Sequence, residues 1–360
     1  MVALPSLAGA DWLAAPEVQR IFKVLGVEGD EVRVVGGAVR NALLGLPVGD
    51  VDFATTATPQ VVIARAEAAG MKAVPTGVEH GTVTLVSGGA GYEVTTLRED
   101  IETDGRRAVV RFGRDWEADA RRRDFTINAL SAAGDGTVHD PVDGYADIAA
   151  GRVRFIGEAE QRIAEDRLRI LRFFRLHAQY GKGALDPAGL SVAIRARDGL
   201  RRLSAERIGQ EMRRLVMAPR AAGIVATMQE SGILGIILGG VGYLGPFARL
   251  GRFEDAAAIP PSVPIRLAAL GCRVKEDVER LTGRLRLANA ERDRMAAVVG
   301  AAGRFGALPE PRRARALLYR LGREGFHDAV ALAVAWGADA ADAAEWIDLY
   351  LLPERWRHRP

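Results

Sequence analysis

The 360-residue chain has a single cysteine, Cys272. One thiol cannot close an internal disulfide or build a cysteine-rich metal site, which fits a reducing compartment, and the expectation is cytoplasmic. Lysine is almost as scarce: of 49 basic residues only Lys23, Lys72, Lys182 and Lys275 are lysine. Alanine and glycine are abundant, so part of the arginine excess reads as composition bias rather than function. Long apolar runs are also missing. The longest, residues 232–250, is broken by Gly235, Gly239, Gly240, Gly242 and Pro246, which suits a buried helix end and its loop better than a membrane span. The opening stretch MVALPSLAGADW has no basic leader and reaches Asp11 early, so no signal peptide is expected. There is no repeat of fixed period, and neither a membrane nor a protein partner is implied.

What remains is a globular composition, 48% apolar and 26% charged, in a chain long enough for two or more domains. A net charge of +3 permits a nucleic-acid partner without demanding one.

The stretch around which the chain is organised is VRVVGGAVRNALLGLPVGDVDFA, Val32 to Ala54. Val32 to Val35 is a β-branched run. After Gly36 and Gly37, the residues Val39, Leu43 and Leu44 recur at helical spacing, and Gly45 and Pro47 close the segment. A second strand is expected through Asp50, Val51, Asp52 and Phe53, with both acids on one side and both apolar residues facing the core. Adjacent carboxylates repel, and the pair makes sense around a cation such as Mg²⁺, which completes its shell with water and substrate phosphates. The glycines let the backbone approach a phosphate, the following helix points its N–H groups there, and Arg40 can add a bidentate clamp. Either feature alone is weak. Together, thirteen residues apart from Gly37 to Asp50, they point to a nucleoside triphosphate.

Further strands are expected around Ala73, at Thr82 to Val86 and at Tyr92 to Leu97. Glu93 is the acid of the last, and is either a third carboxylate facing Asp50 and Asp52 or a solvated residue. Glu99 to Trp116 reads as a mobile loop with a short β segment. In RRRDFTINAL, Arg121 to Leu130, basic residues are expected at a helix start, where they oppose the dipole unless an anion is shared. From Gly157 the chain is expected to be helical. In EDRLRILRFFR, Glu165 to Arg175, Asp166 and Arg169 are expected to be helix neighbours, with Arg172 and Arg175 continuing the row. An exposed helix with an internal ion pair is the plain interpretation. The sharper one starts from base edges: cytosine and adenine both present an amino donor beside a ring-nitrogen acceptor, whereas uracil and guanine present the reverse. A carboxylate and a guanidinium side by side therefore admit C and A and exclude U and G, at about 1–3 kcal/mol per bidentate match.

GGAVRNALLG followed by DVDFAT resembles the head-domain signature of the tRNA nucleotidyltransferase and poly(A) polymerase family, the class II branch of the polymerase-β-like nucleotidyltransferases. Asn41 stands where that family usually has Asp. RRDFTINA resembles its second motif, which implies nucleotide contacts for Arg122, Arg123, Asp124 and Asn128, beside Gly36, Gly37 and Arg40. DPVDGYADI, Asp140 to Ile148, resembles the third, here a structural turn. EDRLRILR resembles the fourth, which implies base selection by Asp166 and Arg169 without a template, and phosphate or domain-joint roles for Arg172 and Arg175. LSAERIGQEMRRL resembles the fifth, a stabilising neck helix.

The resemblance implies an α+β fold, a small mixed-sheet nucleotidyltransferase head followed by an all-α neck, body and tail, with boundaries at 1–150, 151–218 and 219–360. It implies two Mg²⁺ ions on Asp50 and Asp52, with Glu93 a candidate third catalytic carboxylate, CTP and ATP as substrates, and CCA addition to a tRNA 3′ end. A poly(A) polymerase, a CC-only or A-only adding enzyme, and a non-catalytic RNA-binding protein are the alternatives. A Rossmann-type dinucleotide binder fails, because no third glycine follows at the required offset.

Overall fold

A computed structural model describes residues 4–104, 107–305, 308–337 and 343–355. The chain divides into two compact units: residues up to Arg169 with Tyr180–Val192, and Ile170–Gln179 with the residues from Ala193 onward.

The first unit is built on a seven-stranded sheet. Its strands are β1 (Val32–Val35), β2 (Asp52–Thr55), β3 (Lys72–Gly77), β4 (Thr82–Ser87), β5 (Ala90–Thr96), and the two-residue strands β8 (Ser131–Ala132) and β9 (Val138–His139), in the order β3-β4-β5-β2-β1-β8-β9. The β2–β5 pair is parallel and its other pairs are antiparallel, so the sheet is mixed as expected. Alternation along β2 sends Phe53 into the core, where its ring meets Phe22 at 5.3 Å and Tyr92 at 6.1 Å, while Asp52 emerges on the opposite face. Phe22 belongs to the helix Pro16–Leu25, which buries Val18, Ile21 and Leu25. The register carries a row across the open face. Asp52 pairs with Val35, Val35 with Ser131, and Ser131 with His139, while Glu93 precedes the Phe53–Val94 pair as Asp52 does.

The segment Glu99 to Trp116, expected to be a loop with a short β segment, carries more strand than that: a β-hairpin, β6 (Arg98–Asp104) with β7 (Arg107–Phe112), forms a two-stranded sheet of its own. The tip, 105–106, lies outside the described residues.

The second unit is helical throughout its described residues. The interrupted run of residues 232–250 forms the short helix Ile233–Leu238, ended by Gly239 at φ +64°, and then the start of Leu244–Ala256. No helix among the described residues is long and apolar enough to cross a membrane. Arginine–carboxylate pairs tie this unit together: Arg175 to Glu211 at 2.6 Å, Arg266 to Glu254 at 2.8 Å and Arg294 to Asp328 at 2.7 Å.

Candidate active site

The strand β2 begins at Asp52, so Asp50 and Val51 lie just before it rather than within it as the sequence suggested. Asp50 is nevertheless close enough to act on its neighbour. The Asp52 carboxyl is raised above the usual carboxylate range, first by the protein around it, then by the charges of Glu93 and Asp50, and Arg123 eases the shift without reversing it. All three acids stay open to solvent. Among the described residues no three or more acid, histidine or cysteine side chains form a ready cluster for a metal. Mg²⁺ does not require one: it is held by one or two carboxylates plus water and substrate phosphates, so hard oxygen donors under mutual repulsion fit it.

Beside these acids the chain turns at Gly36, with φ +71°. A Cβ there would be strained, and would stand 3.7 Å from Nη1 of Arg123 and 3.9 Å from the Asn128 carbonyl oxygen. The helix after it, Gly37–Leu43, has only seven residues, so the open glycine turn rather than a helix dipole is what admits an anion.

Arg40, expected to clamp phosphate, is turned inward. It is 7% exposed, and its guanidinium is committed inward: Nη1 donates to Asn128 Oδ1 at 2.5 Å, Nε and Nη2 to Asn41 Oδ1 at 3.2 and 2.9 Å, and Nη2 to the Tyr180 hydroxyl at 2.7 Å. It also lies over the Tyr180 ring at 3.9 Å. With four donor contacts spent internally it braces Asn41 and Asn128. Asn41, where the family usually has Asp, accepts from Arg40 and donates to the Pro47 carbonyl at 3.0 Å.

The arginine run needs a correction. The helix in this segment, Trp116–Arg121, precedes Arg122 and Arg123, and Thr126–Asn128 is a single 3₁₀ turn. The arginines thus sit at a helix C-terminus, where a cation is favoured. Their shared partner is Asp119, whose only signal in the sequence is its i+3 and i+4 spacing to the two arginines. Arg122 donates to Oδ1 through Nε at 2.8 Å and Nη2 at 2.5 Å, and Arg123 to Oδ2 through Nε at 3.3 Å and Nη2 at 3.0 Å. Burial works to raise Asp119, and Arg123 and Arg122 overcome it, holding the carboxyl below its ordinary value. Asp124 is buried and accepts from its neighbour Phe125 N–H at 2.9 Å and from Asn128 Nδ2 at 3.2 Å, which links it through Asn128 to Arg40.

Asp119 and Arg123 also line a cleft of about 390 Å³ with Arg33, Trp116, Ser131 and His139. Arg33 stacks over Trp116 at 4.1 Å, and burial followed by Arg33 holds the His139 ring below its usual pKa. No sequence pattern singled out Trp116 or His139. Asp140 and Asp147 take the structural parts expected of their motif. Asp140 accepts from Gly144 and Tyr145 N–H, and the fully buried Asp147 accepts from Thr126, Arg152 and Arg154, each at 2.6 Å.

Asp166 and Arg169 do not share an uninterrupted helix. The helix Ala159–Glu165 ends before Asp166, which is extended at φ −150°, and the next runs Leu168–Tyr180. Asp166 Oδ1 accepts from Leu168 N–H at 3.0 Å, so the carboxylate caps the second helix. Arg169 donates to Glu165 at 2.5 Å and to the Arg162 and Arg122 carbonyls at 2.9 and 3.4 Å. The bond to the Arg122 carbonyl sets Arg169 beside that segment. In the second unit Arg172 and Arg175 reach Glu211 of the helix Ala205–Val216 at 3.8 and 2.6 Å, the pattern of a structural joint.

Residues 32–154 match the family model described as poly A polymerase head domain. The chain is 36% identical over 293 residues to the mitochondrial CCA tRNA nucleotidyltransferase 1 of Homo sapiens, covering 78% of this chain and 67% of that protein. It is 40% identical over 216 residues to a CCA-adding enzyme of Geobacillus thermodenitrificans, covering 59% of this chain and 52% of that enzyme. The crystal structure of the Bacillus stearothermophilus CCA-adding enzyme in complex with CTP superposes with a TM-score of 0.76 at 31% identity, over 94% of this chain and 82% of that one.

Proposed function

Because the chain belongs to the tRNA nucleotidyltransferase and poly(A) polymerase family, we propose that it adds C, C and A without a template to the 3′ end of tRNA, from CTP and ATP with release of pyrophosphate. The observation that carries the reading is the crowding of Asp50 and Glu93 on Asp52 beside the Gly36 turn, a charge arrangement that a bound cation and triphosphate relieve.

Asp50 and Asp52 would hold two magnesium ions, with Glu93 as the third carboxylate of the site. Magnesium, when bound, neutralises triphosphate charge and lowers the pKa of the RNA 3′-hydroxyl. Around it, Gly36 and Gly37 let the phosphates reach the backbone, and Arg122 and Arg123 face them as cations, while Asp124 and Asn128 hold the sugar side. Asp166 accepts from the amino group shared by cytosine and adenine, and Arg169 donates to the adjacent ring nitrogen, so UTP and GTP meet like groups. In this division residues 1–150 form the catalytic head, 151–218 the nucleotide-selecting neck, and 219–360 the tRNA-binding body and tail. A reducing compartment, the cytosol, suits the single buried Cys272, whose thiol burial pushes up to about 12.

The test is purified protein with Mg²⁺, each labelled nucleotide in turn, and tRNAs ending before the first C, before the second C or before A. CTP and ATP are expected to be used in order, with addition stopping after A. Long adenine tails would mark a poly(A) polymerase, and arrest after CC or failure on C-less ends would mark a partial enzyme.

A further inference from the structure

Arg122 and Arg123 are adjacent in sequence, and two guanidiniums side by side repel. What gathers them is one carboxylate, 3% exposed, that gives each oxygen to a different arginine. Arg123, held this way, has Nη1 3.7 Å from where a Cβ on Gly36 would stand, and its charge is felt at Asp52. Arg122, held this way, turns its carbonyl to accept from Arg162 at 3.3 Å and Arg169 at 3.4 Å. The same carboxylate therefore fixes a cation beside the glycine turn and an acceptor beneath the arginine assigned to base choice.

We infer that Asp119 is a positioning residue of the nucleotide site, acting through Arg123 on the triphosphate and through the Arg122 carbonyl on Arg169. This rests on the function proposed above. Without the carboxylate, the Nε and Nη2 donors of Arg123 lose their shared acceptor, the side chain swings into solvent, and the turn at Gly36 faces an incoming polyphosphate with one fixed cation fewer. The protein's fold does not depend on it to the same degree, since both arginines are only partly buried and can be hydrated.

Asp119→Asn, Asp119→Glu, Arg123→Ala and the double variant Asp119→Asn/Arg123→Ala test it. Asp119→Asn is expected to raise the KM for CTP about tenfold, leave the KM for tRNA unchanged, and add nothing to Arg123→Ala in the double variant. Asp119→Glu, which keeps the charge one methylene further out, falls between Asp119→Asn and the unaltered protein. A readout independent of turnover is the rise in melting temperature caused by inorganic tripolyphosphate in EDTA. The unaltered protein shows it, and Asp119→Asn and Arg123→Ala lose it. Equal rises in both KM values, effects that multiply in the double variant, or an undiminished tripolyphosphate shift in Asp119→Asn would overturn the inference. If the unaltered protein binds tripolyphosphate in this Asp119-dependent way yet adds no nucleotide to tRNA, the activity reading falls and the positioning role stands.

Discussion

In the helical unit Glu211, Glu254 and Asp328 are buried, and each is met by an arginine: Arg175, Arg266 and Arg294. In the sheet unit Asp50, Asp52 and Glu93 are exposed and press on one another, with only Arg123 easing Asp52. The two sets contain the same chemistry put to opposite use. A buried acid met by a guanidinium has its partner within the fold; burial still outweighs Arg266 at Glu254 and Arg294 at Asp328, whose carboxyls stay raised, but removing one partner leaves the other an uncompensated charge. An exposed acid crowded by other acids is unfinished, and it becomes favourable only when a cation joins it. Asp119 stands between these cases, since it is buried and paired but its partners face the site.

The comparison breaks first at the rate of reaction. Asp50→Ala is expected to slow addition of the first C by about 10³-fold or more, several kcal/mol of lost charge stabilisation, without unfolding the protein. Single-turnover kinetics on a tRNA lacking CCA measure it, and a rate within tenfold of the unaltered protein would remove Asp50 from the site. In the opposite set, Glu254→Ala strands Arg266 and should destabilise the fold by about 3 kcal/mol, with the activity of each folded molecule unchanged. Chemical denaturation checks it, and a loss below the experimental scatter would show that the pair is hydrated rather than closed. A smaller and more selective effect is expected at Asp166→Asn. Asparagine keeps the cap on Leu168 N–H but adds donors to an acceptor-only group. The preference for CTP and ATP over UTP and GTP should fall by about ten- to a hundredfold, the equivalent of 1–3 kcal/mol, with melting temperature nearly unchanged.

Much of the sheet unit was legible because its signals are local. The β-branched run before Gly36, the alternation in β4 and β5, and the Pro16–Leu25 stripe each have one period and clear stops. The site was legible in its residue types and less so in its geometry. Asp50 lies outside the strand because pairing with β1 reaches only as far as Asp52, opposite Val35, a boundary that contacts between strands set. The arginine run was assigned to a helix start because nothing in RRRDFTINAL shows that the preceding WEADAR is the helix and that Phe125 turns into a bridge with Phe155. That bridge is a contact across about thirty residues, and only tertiary structure supplies it. The break at Asp166 did leave a signal: aspartate two residues before a leucine-rich run is a capping residue, but without glycine or proline beside it the helix looked continuous. The contacts of Arg40 are hidden from the sequence for a different reason. Its neighbours Asn128 and Tyr180 are 88 and 140 residues away, so its inward commitment could not be read from spacing.

The central claim is that the acids beside the Gly36 turn are held for a ligand at the expense of the empty fold. The sign follows from Asp52. Its folded carboxyl is raised above the unfolded value, so its stabilising contribution is full below the unfolded value and is lost as pH rises through the folded one, leaving a penalty at neutral pH. Asp52→Asn removes that penalty. Thermal unfolding of the two proteins at pH 7, first in EDTA and then with Mg²⁺ and CTP, is the direct test. The variant should melt higher in EDTA, and the order should reverse when Mg²⁺ and CTP are added. An unaltered protein that melts higher than Asp52→Asn in EDTA, or gains nothing over it from Mg²⁺ and CTP, would contradict the account.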